Sequence, residues 1–414
     1  MTRWPRGAGR RCAPALALLA GALLARPIHA ESRELELGVE ELFYRTAATP
    51  LNRGNLLGLD RNEHLLRGTL SWRERAGPAR GVFKGYVERA IGGTDEGTRL
   101  RARQAYVRYD FGEGASVRLG KQRIAWGSGF AWNPTNRIEP PRNPLNTSLE
   151  QEGTLAARID FVPTTWAGVI LVAARGRTGP GDLPFETTGA TGEVAAVRTR
   201  FLVRQTDLAL VFSGGDGRRT LLGLDVAREV ASQVSAHAEA ALQRGSDLTE
   251  DGAAHVLRVA AGALWSPGDT AFALEYFFNG DGLSAQGHAA YLGRLDEAYA
   301  LATDPRLSAP DRERALVHYL AEAALPYSGG LGLRRHYLQS SWTRSRIRGE
   351  WAVAVRGVLG LSDGGAALTP GLSYSPRDDL TLSLDAVLLL GPERSEYRLA
   401  PFRGAVQARM RAAF

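Results

Sequence analysis

From Gly404 to Phe414 every second side chain is apolar. Val406, Ala408, Met410, Ala412 and Phe414 share one parity, and Gln407, Arg409 and Arg411, with the small Ala413, share the other. A strand sends successive side chains to opposite faces, so this segment has one greasy face and one cationic face. Other segments repeat the pattern. Leu380, Leu382, Leu384, Ala386, Leu388 and Leu390 oppose Thr381, Ser383 and Asp385. Leu155, Ala157, Ile159 and Phe161 oppose Ala156, Arg158 and Asp160, and Val234, Ala236, Ala238, Ala240 and Leu242 oppose Ser235, His237, Glu239 and Gln243.

Beyond residue 30 such segments, each about ten residues long, alternate with clusters of Gly, Pro, Asp and Asn. They predict strands at 33–45, 63–74, 81–91, 99–111, 115–125, 153–162, 166–175, 193–203 and 206–213 in the first half. The second half adds 220–228, 233–243, 254–265, 270–279, 332–343, 349–360, 367–375, 379–390 and 403–414. The count is about 18, or 16 if the weakest pair, 193–203 and 206–213, is misread. The longest connections, 46–62, 126–152 and 280–331, all follow odd-numbered strands. The connections after even strands are short and polar, as in Ala76-Gly77-Pro78-Ala79 and Gly112-Glu113-Gly114. This segregation is expected of a barrel with both termini at one end. A soluble barrel would need a larger apolar core than these Ala- and Leu-rich faces supply; a run of β-sandwiches is the alternative fold.

The closing alternation with its final aromatic resembles the last strand of bacterial outer-membrane β-barrel proteins. The resemblance implies an all-β, antiparallel transmembrane barrel in outer-membrane lipid, with Phe414 as the signal read by the barrel-assembly machinery. Leu119 to Pro144 carries Gly-Lys-Gln, then Trp-Gly, then Asn-Pro-Thr, and is similar to a stretch of porin-like proteins in which the following loop constricts the lumen. On that resemblance, loop 126–152 would place Lys121, Arg123, Arg137, Glu139 and Arg142 at the narrowest point. The alternative assigns Trp126, Phe130 and Trp132 to an aromatic girdle, with the loop packed on the rim.

Residues 1–30 open with Arg3, Arg6, Arg10 and Arg11, followed by an apolar run from Ala13 to Ala25 and, after Arg26, Pro27-Ile28-His29-Ala30. That is the layout of a cleaved secretory signal, and the run is too short to span a bilayer as a helix. Five of the 51 basic residues and no acid lie there, which leaves 46 bases against 44 acids and a net charge of +2. Bulk charge therefore gives no reason to expect nucleic acid as a partner. The single cysteine, Cys12, would leave with the signal, removing disulfides and thiolate chemistry.

If the apolar face meets lipid, the polar face lines the interior, and a barrel of this size leaves an aqueous channel. Parity then places Arg67, Arg108, Asp110, Arg118, Arg158, Asp160, Arg198, Arg200, Glu239, Asp385, Arg409 and Arg411 inside. Rings of charge select ions by sign, so a lean toward anions is expected; the bland reading is cross-strand pairing that braces the wall. Residues 286–325 have helical spacing in two pieces and predict a helical hairpin in the loop 280–331, either bracing the rim or serving in gating or docking. The histidines show no metal spacing, and no cofactor or metal is expected. His336 lacks the Ser two residues on that barrel phospholipases carry. The expected function is a porin-like channel for small hydrophilic solutes, working as a monomer or as a homo-oligomer. The alternatives are a barrel for polymer export, surface or capsule assembly or sheathing a partner, and, less favoured, an outer-membrane hydrolase.

Overall fold

The computed structural model describes residues 30–56, 62–91, 97–139, 151–177, 191–215, 218–248, 254–328 and 332–414. The predicted signal lies outside them except for Ala30. Eighteen strands follow: β1 (Ala30–Thr46), β2 (Asn62–Ala76), β3 (Ala79–Ile91), β4 (Gly97–Asp110), β5 (Ala115–Gln122) and β6 (Thr154–Phe161). Next come β7 (Ala167–Arg177), β8 (Thr191–Val203), β9 (Thr206–Gly215), β10 (Arg218–Ala231), β11 (Val234–Arg244) and β12 (His255–Trp265). The last are β13 (Thr270–Asn279), β14 (His336–Ile347), β15 (Trp351–Gly360), β16 (Ala366–Arg377), β17 (Leu380–Leu390) and β18 (Phe402–Ala413).

Each strand pairs with its sequence neighbours, and β18 pairs antiparallel with β1 to close the ring. Leu35 and Phe414 complete the seam by exchanging backbone hydrogen bonds of 3.2 and 2.8 Å. Closure satisfies every strand edge, which a sheet in hydrocarbon requires. The pair 193–203 and 206–213 is a true hairpin. Its two-residue turn, Arg204-Gln205, has positive φ at both positions (46° and 67°), the backbone sense that matches strand twist.

The parity argument holds around the ring. Leu382, Leu384, Leu388 and Leu390 of β17 and Val406 and Met410 of β18 are exposed on the outer face. The eight connections after even strands are tight, from 77–78 to 378–379, and the longest, 47–61, 123–153 and 280–335, gather at the opposite end. Three connections at that end are short: 92–96, 216–217 and 361–365. The helical hairpin forms as expected, as α1 (Ala285–Thr303) and α2 (Ala309–Ser328), and a short helix α3 (Glu396–Leu399) precedes β18. Ser284 caps α1 by accepting from Gly287 N–H at 3.1 Å.

The buried side chains form three clusters, none of them a wall-to-wall core. Tyr291, Leu292, Leu295 and Ala298 of α1 pack with Tyr319 and Ala323 of α2 against Leu51, Leu333 and Leu399 from other loops at the same end. The other two clusters lie inside the barrel. Ile124, Trp126 and Ile138 pack on inward Ala and Val of β6 to β9, and Ala131 and Trp132 pack on Phe277, Tyr337 and Val358. On this arc the inner face departs from the expected polar lining. Val172, Ala174, Val194 and Ala196 face inward by strand parity, and Ile124, Trp126 and Ile138 cover them.

Candidate functional site

The segment 123–139 leaves β5 and crosses to the inner wall formed by β10 to β14. Three inward carboxylates hold it there. Glu275 of β13 accepts the backbone N–H groups of Phe130, Ala131 (3.1 Å) and Trp132 (2.9 Å). Glu239 of β11 accepts from Gly129 N–H at 2.7 Å and from the Thr135 hydroxyl at 2.7 Å. Asp225 of β10 accepts from the Ser128 hydroxyl and pairs with Arg198 at 3.4 Å. Successive N–H groups that converge on one anion form a nest; here the anion belongs to the wall itself.

Local sequence explains the shape. Gly127 has φ +86°, and a Cβ there would lie 2.8 Å from both Glu239 oxygens; at Gly129 it would lie 1.9 Å from the Trp132 carbonyl. Asn133 and Asn136 close the turn around Pro134, with Asn136 N–H to Asn133 C=O at 3.1 Å and the Asn136 amide to Ile124 C=O at 2.8 Å. Aromatic packing completes the seat. Trp132 stacks on Phe277 at 5.0 Å and leans on Tyr337 at 5.7 Å, while Phe130 meets His237 edge-on at 4.5 Å. The girdle alternative is thereby corrected: Trp126 and Trp132, each 2 % exposed, are inside the barrel. Trp126 packs on inward Ala and Val of β6 to β9, and Trp132 on Phe277, Tyr337 and Val358.

The residues anticipated at a constriction are dispersed along this segment. Arg123 pairs with Glu139 at 2.8 Å and also reaches Gln151 at 2.8 Å. Glu139 is buried and additionally accepts from Ile124 N–H. Arg137 reaches Asp247 at 2.6 Å, where Arg258 (1 % exposed) joins Asp247 and Asp281 at 2.9 Å each. This network ties the crossing segment to the loops after β11 and β13. Lys121 shares its register position with the exposed Leu155 and pairs with Glu152 at 3.1 Å. Arg142 lies outside the described residues.

The anticipated lining residues are on the inner parity and mostly paired. Arg67 binds Glu88, and its guanidinium lies 4.9 Å from the Tyr86 ring. Arg108 meets Asp110 at 2.6 Å, Arg158 meets Asp160 at 2.6 Å and Arg200 meets Asp207 at 2.5 Å. Arg409 meets Asp385 at 2.6 Å and Arg411 meets Glu36 at 3.1 Å. Glu239 faces inward but sits beneath the segment, 1 % exposed, so it holds the segment rather than lining open space. Glu275, which sequence reasoning did not single out, does the same; a lone Glu among Leu274, Tyr276, Phe277 and Phe278 was its only signal. His336 shares the outer face with Tyr276, whose hydroxyl lies 2.7 Å from the ring nitrogen.

An 18-stranded antiparallel ring with one loop folded across its lumen has counterparts among solved structures. Its fold is that of an outer-membrane porin. The OprD protein of Pseudomonas aeruginosa aligns over 93 % of this chain and 96 % of its own length, with a TM-score of 0.54 and 11 % identity. OccK2 (OpdF) of the same organism aligns over 92 % and 96 %, with a TM-score of 0.57 and 10 % identity. OccK2 in complex with glucuronate gives a TM-score of 0.56 at 10 % identity, over 92 % of this chain and 95 % of that one. No family model and no curated protein matches the chain.

Proposed function

We propose that the chain is an outer-membrane channel through which small hydrophilic solutes diffuse passively, with a lean toward anions. The observation that carries this reading is the segment 123–139, clasped across the lumen by Glu239 and Glu275. A barrel of 18 strands would otherwise leave a wide aqueous bore, and a segment seated within it narrows the bore. Arg123 and Arg137, the segment's two described cations, keep part of their side chains exposed, at 25 % and 19 %. With Arg142 they would set the sign of charge at the constriction, and Glu139 orients Arg123; Lys121, in register with the outward Leu155, is not part of it. Phe414 serves in this reading as the assembly signal, and lipid surrounds the outer face. The fit of a barrel porin to solved structures, one of them a glucuronate complex of another protein, supports the same reading. It assigns the chain no catalytic step.

Planar-bilayer recording tests it. The expected result is steady unit conductance steps, and a closed trace from folded protein refutes it. In the same assay Arg123→Glu with Arg137→Glu should move the reversal potential toward cation preference. An unmoved reversal potential removes these residues from the constriction.

A further inference from the structure

The outer wall carries a depression that conduction does not use. Register aligns the outward side chains of β6 to β9 in rows, one of which is Ala157, Ala173, Ala195 and Gly214. The next row toward the tight turns is Ile159, Leu171, Val197 and Phe212, all exposed on the outer face. These larger side chains stand proud of the small ones. The result is a groove of about 490 Å³, lined by Leu155, Ala157, Ala173, Arg175, Glu193 and Ala195 among others.

The row above the groove, toward the long loops, is charged. Lys121 of β5, Leu155 of β6, Arg175 of β7 and Glu193 of β8 stand in register. Strands about 4.8 Å apart put the two cations roughly 10 Å from each other, across Leu155. Lys121 has Glu152 at 3.1 Å, and Arg175 faces Glu193. Below this row the outward residues of β5 to β9 are uncharged down to the tight turns. The row therefore marks the upper edge of the apolar band. Cations prevail at this height elsewhere on the ring. Arg45, Arg89 and Arg244 are outward by parity near the long-loop ends of β1, β3 and β11, against the one outward carboxylate of Glu41, which pairs with His64.

A groove with cations at its upper rim and an apolar floor matches an anionic amphiphile. In a bilayer the apolar band meets acyl chains, and its edge meets lipid phosphates that attract Lys and Arg. A flat partner sheet would be held off the floor by Ile159, Leu171 and Phe212, whereas a single flexible chain can enter.

We propose that this groove binds one lipid that carries a phosphate monoester, with the phosphate on Lys121 and Arg175 and one acyl chain along Ala157, Ala173, Ala195 and Gly214. A phosphate monoester carries up to about two negative charges, which two cations answer. The inference rests on the membrane placement in the reading above, and not on conduction.

Native mass spectrometry of the full chain in detergent tests it, with dimyristoyl phosphatidic acid as the probe and dimyristoyl phosphatidylcholine as the zwitterionic control. Phosphatidic acid should bind more tightly than the control by about fivefold or more, the attraction of one cation near a phosphate surface. Arg175→Gln should remove about fivefold of that preference. Ala195→Leu fills the floor and should weaken both lipids. Glu193→Gln removes a competing carboxylate and should tighten phosphatidic acid, a gain that misfolding cannot imitate. Arg228→Gln, outward at the tight-turn end of β10, should bind as the parent does. Excess inorganic phosphate should leave the lipid bound, because the acyl chain supplies part of the affinity. The site is overturned if the parent binds both lipids alike, if Arg175→Gln and Ala195→Leu both match the parent, or if Glu193→Gln gives no gain. It is equally overturned if Arg228→Gln weakens binding as Arg175→Gln does, or if inorganic phosphate displaces the lipid. A lipid-free dimer that Ala195→Leu breaks would give the groove to a second copy instead. Bilayer recording on the same preparation separates the two readings. Conductance without a lipid preference removes the site alone; a lipid preference with a closed trace removes the channel alone.

Discussion

Glu275→Ala should release the crossing segment while leaving the barrel closed. The wild-type carboxylate accepts three consecutive backbone N–H groups, from Phe130, Ala131 and Trp132, and faces His237 at 2.9 Å. A hydrogen bond to a charged group contributes about 1.5–3 kcal/mol net. Adding three such bonds overstates the effect, because they share one anion and are not independent. Removing one side of a buried charged cluster costs about 3–5 kcal/mol. Two restraints remain in the variant: the stack of Trp132 on Phe277, and the Glu239 clasp on Gly129 and Thr135. A loss of about 4 kcal/mol multiplies the population of the released segment by about a thousand, at 1.36 kcal/mol per decade. The sheet loses no ladder bond, since the Glu275 backbone pairing with Gly262 and Gln339 is untouched. Hydrogen exchange at Phe130–Trp132 should therefore accelerate about a thousandfold, with strand amides unchanged. Unit conductance should rise and become noisier. Amide protection within a factor of about ten of the parent, together with unaltered conductance, would falsify the clasp as the force that seats the segment.

Two further outcomes concern the outer end. Tyr319→Phe removes a hydroxyl that donates to Pro50 C=O at 2.9 Å and accepts from Arg53 N–H at 3.0 Å. It should loosen the α1–α2 hairpin by about 1–2 kcal/mol, read as faster limited proteolysis within 285–328; equal cleavage rates would show that apolar packing alone holds the cap. Glu396, in the loop before β18, is pushed up to about 7, first by burial and then by the neighbouring Asp363 carboxylate, against hydrogen bonds from Tyr337 and the Leu333 and Arg334 N–H groups that pull it down. The folded form thus holds the proton more tightly than the unfolded chain, so this group's stabilisation is present below about pH 4.5 and is lost as pH rises toward 7. Proteolysis of loop 391–401 should quicken between pH 5 and 7 and then level off, and Glu396→Gln should flatten the profile; a parent profile already flat over that window removes Glu396 as its cause.

Much of the architecture was legible because a period of two is a local property. Every predicted strand appears, with ends within a few residues, and the helical spacing of 286–325 matches α1 and α2. The alternation in 380–390 and 404–414 names the outer face without any knowledge of partners. Where both parities are apolar, as in Val169-Ile170-Leu171-Val172-Ala173-Ala174, alternation says nothing about which face is covered or by what. The site was harder. The composition of Trp126 to Thr135 fits a girdle or a lumen segment equally well, and choosing needs its distant partners, such as Glu275, 145 residues from Phe130.

The sequence by itself determined strand positions, their number, which end carries the long loops and which face meets the outside, because these follow from side-chain alternation and turn chemistry within about ten residues. Only the tertiary structure decided that Glu239 and Glu275 clasp a segment rather than line the bore, and that Lys121 and Arg175 stand in one row above a groove. Both depend on strand register and ring closure. Those set which distant residues share a height on the wall, and no local pattern carries that information.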